Sequence, residues 1–435
     1  MTDETRLGVY GLGKLGLPLA ASFAAAGVQT FGIDVNAPLV AALRRGEIAS
    51  REPGLSALLG TAGPALSFHE GPRGLDLTAS LIQVPTPSSP DDPSFSARFV
   101  RDAVSAACED VAQRTPRPAQ HLVIIASTVM PGTLAAEIRP LVAEAARRSG
   151  CRIRLAYVPD LVAIGDVVRG FHKPPCLIIG SDDTETADEV EALYCRIVAA
   201  DVPRARLSIA EAEMTKVAWN FYFCFKISFA NLLARIAGQA HDINVDRLTE
   251  TLALDSRIGK GFLRAGMAFG GPCFPRDVDA TQALLDRLGL DPSIAAAVRQ
   301  SNQSHLDYIA GLVLAERPAA AGVAGLAFKA GTDETVHSPS FALIVQLLAA
   351  GVAVHAHDPS GRARTALRAE PWAAAVTCWD SLDELVAHSD VVVAAVNDPA
   401  LARLRDLAGT GKTIIDPWGF LPPGPPSLRR PGRAG

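Results

Sequence analysis

At 435 residues the chain is too long for one ordinary core and implies two or three domains. With 49% hydrophobic residues, 20% charged residues and a net charge of −5, it reads as a globular protein with no electrostatic case for nucleic acid. No apolar run reaches the length of a bilayer span, and the acidic opening MTDETRLGVY is unlike a secretory signal, so the expectation is a cytoplasmic protein without a membrane partner.

The chain opens with RLGVYGLGKLGLPLAASFAAAGVQTFGIDVN. A short apolar strand leads into Gly11-x-Gly13-x-Leu15-Gly16, an alanine-rich helical run follows, and a second strand ends near Asp34. Alone a GxGxxG is weak, but here it lies between strand and helix, with an acid about twenty residues on, as a dinucleotide site requires. The pyrophosphate would rest on the helix N-terminus, and Asp34 would accept from ribose hydroxyls. An acid at that place repels a 2′-phosphate, so NAD is favoured over NADP.

Residues 40–135 continue the alternation. A helical run ends in the loop SREPGL, followed by the strand SLIQVPTP, a helix from about Ser96 to Arg114, and the strand HLVIIASTVMPGT. Strands alternating with helices predict a doubly wound parallel sheet. Thr86 and Thr128 fall at strand ends, where such sheets meet ligands, although a hydroxyl there also caps local backbone.

Leu207–Gly238, LSIAEAEMTKVAWNFYFCFKISFANLLARIAG, predicts one long helix. Lys216 and Asn220 lie four apart and share a face. Their neighbours Val217, Ala218, Trp219, Phe221, Tyr222 and Phe223 are too apolar for a wet surface, which favours a lysine enclosed in a site or interface. Then comes GKGFLRAGMAFGGPCFPRDVD, from Gly259 to Asp279. Gly270 and Gly271 permit an unusual backbone path and Pro275 suits a first helical turn, so Cys273 is expected at a helix N-terminus. Dipole and unpaired N–H groups there favour the thiolate, the form that attacks carbonyl carbon. The other cysteines, Cys108, Cys151, Cys176, Cys195, Cys224 and Cys378, have neither metal-ligand spacing nor the look of a disulfide framework, and no metal is expected.

Residues 291–316 predict a second long helix, capped by Asp291, that bridges domains. Beyond it the chain repeats its opening unit: an Ala-Ala-Gly-Val turn leads to an acid with the same spacing from Gly27 to Asp34 and from Gly351 to Asp358. From Pro422 the Pro/Gly/Arg-rich tail is expected to be disordered.

The cysteine run GGPCFPRD resembles the GGxCxPKD signature of the UDP-glucose/GDP-mannose dehydrogenase family, with Arg276 in place of lysine. VPTP, STVMPGT, the Lys216/Asn220 pair, the run DSRIGKGFL and the turn GLAFK are similar to further motifs of that family, so the resemblance spans nearly the whole chain. It implies NAD-dependent oxidation of the C6 hydroxyl of a nucleotide-linked hexose to a carboxylate. Thr86 would contact cofactor and Thr128 both cofactor and substrate. Lys216, Asn220 and Asp277 would hold the reacting oxygen and a water, and Cys273 would carry the covalent intermediates. Arg257, Phe262, Gly270 and Lys329 would touch substrate, Arg257 across a dimer interface. Two departures stand out. The segment YVPDLVAIG, similar to the family's PEFLREG, carries Asp160 for the first glutamate and Ile164 for the second; TDETVHSP carries Val336 where an arginine is expected. Asp160 inherits the activation of the hydrolytic water.

The expected architecture is two Rossmann-like domains joined by a helical one: 1–205 for NAD, 206–300 for dimerisation and the cysteine, 301–421 for the nucleotide sugar, and 422–435 as tail. UDP-glucose is the preferred substrate and a homodimer the preferred assembly. Two alternatives stay open: a two-electron alcohol or hydroxy-acid dehydrogenase, and a catalytically silent binder of NAD and nucleotide sugar.

Overall fold

The structure, a computed structural model, describes residues 5–433 apart from 49, 51, 90–91, 241 and 409–410. Part of the SREPGL loop and the last two residues of the tail therefore lie outside the described residues. The chain divides into two compact units, Met1–Ala218 and Trp219–Gly435.

In the first unit an eight-stranded sheet has the order β3-β2-β1-β4-β5-β6-β7-β8. The strands are β1 Arg6–Tyr10, β2 Gln29–Ile33, β3 Leu66–His69, β4 Ala79–Ile82, β5 Gln120–Ile125, β6 Arg152–Tyr157, β7 Leu177–Ser181 and β8 Arg204–Leu207. All neighbours are parallel except β6 and β7. Central strands such as β4 and β5 are buried almost throughout, which is why they read as unbroken apolar runs rather than alternating ones. Strand order reverses between β1 and β4. The carboxyl ends on either side of that reversal deliver Gly11, Asp34 and the loop beyond Ile82, so a ligand crevice is built there by topology.

The second unit repeats the plan with six parallel strands, ordered β11-β10-β9-β12-β13-β14. They are β9 Ala320–Ala324, β10 Ala353–His357, β11 Val376–Cys378, β12 Val391–Ala394, β13 Thr413–Ile415 and β14 Leu428–Arg429. The repeat read from Gly27–Asp34 and Gly351–Asp358 extends to single bonds. Gly11 N–H donates to Ile33 O, and Gly325 N–H to His357 O, both at 2.8 Å. The backbone N–H of Leu12 donates to Asp34 at 2.7 Å, and that of Leu326 to Asp358 at 2.6 Å.

The long helix spans Ile209–Gln239, and the division between units falls within it. It starts with a reciprocal capping pair: Ser208 N–H donates to Glu211 at 2.8 Å, while Glu211 N–H donates to the Ser208 hydroxyl at 3.3 Å. The helices expected near 96–114 and 291–316 run Arg98–Gln113 and Ser293–Ala315. Asp291 does not occupy the capping position itself, which Pro292 takes; its carboxylate instead receives the Ser293 N–H at 2.9 Å from one residue further out.

The tail corrects its expectation. Leu428–Arg429 forms β14, and Arg433 is buried, bonded to Asp246 and to the carbonyl of Pro417. A Pro/Gly-rich composition suits an edge strand as well as it suits disorder, and here pairing with β13 and the ion pair decide.

Candidate active site

The glycine turn is shaped for close approach. Gly11 has φ +91°, a conformation L side chains rarely adopt, and a Cβ on Gly16 would stand 1.8 Å from the Gly11 carbonyl oxygen. Around Gly13, by contrast, a Cβ would meet nothing within 4 Å, so that glycine borders open space where a ligand backbone fits. Leu15 precedes the helix Gly16–Ala25 without side-chain capping; Leu17 N–H donates to Gly13 O at 3.3 Å and Pro18 has no N–H, so what the first turn offers an anion is the helix dipole and the N–H of Gly16. Asp34 spends part of its capacity on the turn itself, receiving Leu12 N–H at 2.7 Å and Asn36 N–H at 2.8 Å. A carboxylate has about four lone-pair directions, so ribose hydroxyls can still be served. The set fits NAD, and Val35, 94% exposed beside Asp34, offers no charge for a 2′-phosphate.

Thr86 is buried and Thr128 half-buried, each in the loop beyond its strand rather than on the strand. Sequence reasoning passed over the residues that hold these loops. Ser127 Oγ receives Val84 N–H at 2.9 Å and donates to Val84 O at 2.8 Å, tying the two loops together. Glu213, fully buried, receives Gly132 N–H at 2.7 Å and Leu134 N–H at 2.8 Å. Burial pushes its carboxyl up while those N–H groups pull it down. Glu52, of the SREPGL loop, acts likewise on Gly165 and Val167, at 2.9 and 2.5 Å. Their signals were slight: a hydroxyl beside Thr128, an acid three before Lys216, and an acid in a conspicuous loop.

Lys216 is buried, and its Nζ donates to the carbonyl oxygen of Asp160. The Asp160 side chain is buried too, and its Oδ2 has no hydrogen-bond partner among the described residues. Burial pushes this carboxyl up to about 7, against the pull of the Lys216 ammonium. Ile164 is half-buried and adds no polar group.

In the second unit, Cys273 is exposed and sits at the capping position of the helix Phe274–Arg287, with Pro275 in its first turn. One turn on, Asp277 is fully buried; its backbone N–H donates to Cys273 O at 2.8 Å. Its carboxylate receives Asn220 Nδ2 at 2.5 Å and faces the Arg276 guanidinium at 3.4 Å. Asn220, Asp277 and Cys273 are thus brought together, with Arg276 Nε and Nη2 both 3.4 Å from one Asp277 oxygen. Gly271 has φ +83°, and a Cβ there would meet the Phe328 ring at 2.6 Å; on Gly270 it would meet His337 O at 2.3 Å. The cysteine turn therefore rests on the GLAFK and TVHSP segments. Lys329 is half-buried beside the Phe328 ring, and Val336 is 47% exposed.

Phe262, at φ +61°, stacks on Phe223 with centroids 3.9 Å apart and meets Phe274 at 5.9 Å. Arg257 projects outward, its side chain 88% exposed, and grips Asp255 through two nitrogens. Among the described residues no group of His, Cys, Asp and Glu could hold a metal ion, no disulfide joins any of the seven cysteines, and no helix is long and apolar enough to cross a membrane.

Comparison with known proteins identifies the family. Three domain models of the UDP-glucose/GDP-mannose dehydrogenase family match: the NAD-binding domain over residues 5–198, the central domain over 210–304 and the UDP-binding domain over 322–423. A UDP-glucose 6-dehydrogenase of Haloferax volcanii is 32% identical over 92% of this chain and 93% of its own. A GDP-mannose 6-dehydrogenase of Pseudomonas aeruginosa is 28% identical over 96% and 97%. Among solved structures, a UDP-glucose dehydrogenase from Pyrobaculum islandicum superposes with TM-score 0.87 at 32% identity, covering 96% of this chain and 95% of that one. With its three domain models matched along the chain and a relative at 32% identity over nearly its full length, the chain belongs to the UDP-glucose/GDP-mannose dehydrogenase family.

Proposed function

We propose that this nucleotide-sugar 6-dehydrogenase carries out the full four-electron oxidation, with UDP-glucose as substrate. The observation that carries the reading is Cys273 exposed at a helix N-terminus, one turn from a buried acid that Asn220 holds. NAD, when bound, supplies the acceptor for the hydride lost from C6 in each of two oxidations. Gly11, Gly13, Leu15, Gly16, Asp34 and Thr86 bind it in this reading, and Thr128 serves both cofactor and substrate.

In the first oxidation the C6 hydroxyl also loses its proton, through water held by Lys216 and Asp277, with Asn220 donating to the oxygen. The aldehyde carbon is a poor hydride donor until it becomes tetrahedral. Cys273 Sγ adds to it, the carbonyl π pair moves to oxygen, and that oxygen takes a proton to give the thiohemiacetal. The Lys216 ammonium stabilises charge on that oxygen. Loss of the second hydride and a proton leaves a thioester, and water activated by Asp160 adds to it. The C–S bond then breaks, releasing the uronic acid and restoring the thiol. Arg257, Phe262, Gly270 and Lys329 are the proposed substrate contacts.

Support for UDP-glucose comes from relatives with that name at 32% identity in both sequence and structure, against 28% for the GDP-mannose enzyme. A two-electron reaction is the second reading, favoured by Ile164, an apolar residue where the family pattern that YVPDLVAIG resembles has an acid. We keep the domain limits 1–205, 206–300 and 301–421 as part of the proposal, and the cytoplasm as its compartment. A homodimer completes it. Tyr222, Phe225, Phe229, Leu232 and Ile236 recur at helical spacing along the long helix and are each at least 40% exposed, a face suited to a second copy.

The deciding experiment measures NADH formed per sugar consumed, with excess NAD and a panel of UDP- and GDP-hexoses. Two NADH with a uronic acid from UDP-glucose is the expected result. One NADH would establish the second reading, and none despite NAD binding would leave a silent binder.

A further inference from the structure

Lys226 lies six residues beyond Asn220 on the long helix, with only 8% of its surface exposed. No carboxylate pairs with it among the described residues. Its Nζ instead donates to two carbonyl oxygens, those of Ile258 and Gly259, each at 3.0 Å. An enclosed ammonium without a counter-ion is costly compared with a methionine of similar length, and two neutral carbonyls with the Tyr222 ring, its centroid 6.0 Å from Nζ, offset that cost only in part. A helix position that merely needed filling would not require it.

The two carbonyls belong to an irregular turn that Asp255 also braces, its carboxylate receiving the Arg257 N–H at 2.9 Å. Ile258 and Gly259 both donate backbone N–H to Asp255 O at 3.0 Å, Gly259 has φ +68° and Phe262 has φ +61°. Immediately before the pinned carbonyls comes Arg257, projecting outward. Three residues after them comes Phe262, stacked on Phe223 and edge-on to Phe274, the residue next to Cys273. Fixing the carbonyls of 258 and 259 therefore fixes the backbone between Arg257, whose side chain Asp255 holds, and the seat of the Phe262 ring. Phe223 and Lys226 both belong to the long helix, so the turn is held at one point by stacking and at another by charge.

We infer that Lys226 is a positioning residue for nucleotide-sugar binding, acting by locking the turn that presents Arg257 and Phe262. The inference rests on the proposed role of those two residues toward the substrate. In this reading Lys226 acts through the turn, its Nζ being spent on Ile258 O and Gly259 O, and not by contact with the reacting carbon or NAD.

The test compares K226M, K226R and R257A with wild type, measuring KM for UDP-glucose and for NAD, kcat, the thermal transition, and direct UDP-glucose binding. K226M is expected to raise KM for UDP-glucose about tenfold, with kcat and KM for NAD within about twofold. K226R, whose guanidinium can still serve two carbonyls, should recover most of the loss. If R257A weakens UDP-glucose binding and K226M does not, the positioning role is wrong while the substrate reading stands. If R257A has no effect either, the turn does not meet the substrate and the reading beneath the inference falls. A K226M protein that loses NAD and UDP-glucose binding alike, with a lowered transition, would show a structural role only and overturn the inference. Should K226M fail to fold, K226Q is judged by the same criteria.

Discussion

Asp160 offers two handles on the chemistry. Its carboxyl is pushed from an ordinary 3.8 up to about 7 by burial. Between those values the folded chain holds a proton that the unfolded chain releases, so this group's contribution to stability declines as pH rises through the window and is lowest above it. Asp160→Asn is neutral throughout. It should therefore melt higher than wild type at pH 8, by more than at pH 5, in paired thermal scans. In the proposed reaction the carboxylate is the form that activates water, so thioester hydrolysis should rise with pH through about 7 and lose that rise in Asp160→Asn. Cys273→Ser should lower NADH formation by at least roughly a thousandfold while leaving NAD binding intact, read by turnover and by titration.

At the scale of elements, glycines discriminate between a turn that must be tight and one that must be open. Gly271→Ala brings a Cβ to 2.6 Å from Phe328 on a backbone at φ +83°. That displaces the cysteine turn, and we expect kcat to fall about a hundredfold with KM for NAD little changed. On the long helix, Phe225→Asp with Phe229→Asp places charges in the exposed apolar stripe. If the proposed homodimer forms through this stripe, wild type should sediment as a dimer and the double variant as a monomer. Much at this scale was legible beforehand: Cys273 at its helix start, the helix around Lys216 and Asn220, and the duplicated Gly-to-Asp units all followed from periodicity and turn chemistry. What was not legible depends on contacts distant in sequence. Glu213 grips residues about eighty positions earlier, and no local pattern marks an acid on a helix as the clamp of a remote loop. Lys226 was hidden in an apolar run for the same reason.

For the molecule as a whole, the far end of the chain is structural. Arg433 has no exposed side-chain surface, pairs with Asp246 and receives support from the carbonyls of Pro417 and Trp418. Arg433→Ala leaves those acceptors and the Asp246 charge without their donor and should cost about 3 kcal/mol, measured by denaturant unfolding. Composition misread this stretch because proline, glycine and arginine are counted without regard to the strand beside which they lie. The NAD domain was easier to read, since its strands are buried on both faces and announce themselves as apolar runs.

The twin acids Asp34 and Asp358 bear on redesign. Each takes a backbone N–H from the turn after the first strand of its sheet, at 2.7 and 2.6 Å, and another from two residues beyond itself, at 2.8 and 2.7 Å. An engineer who removes Asp34 to admit a phosphorylated ribose thereby also unfastens the glycine turn proposed to receive the pyrophosphate. Changing cofactor preference in this scaffold thus calls for a replacement that accepts those two N–H groups without a negative charge, such as Asn or Ser, before any basic residue is added nearby.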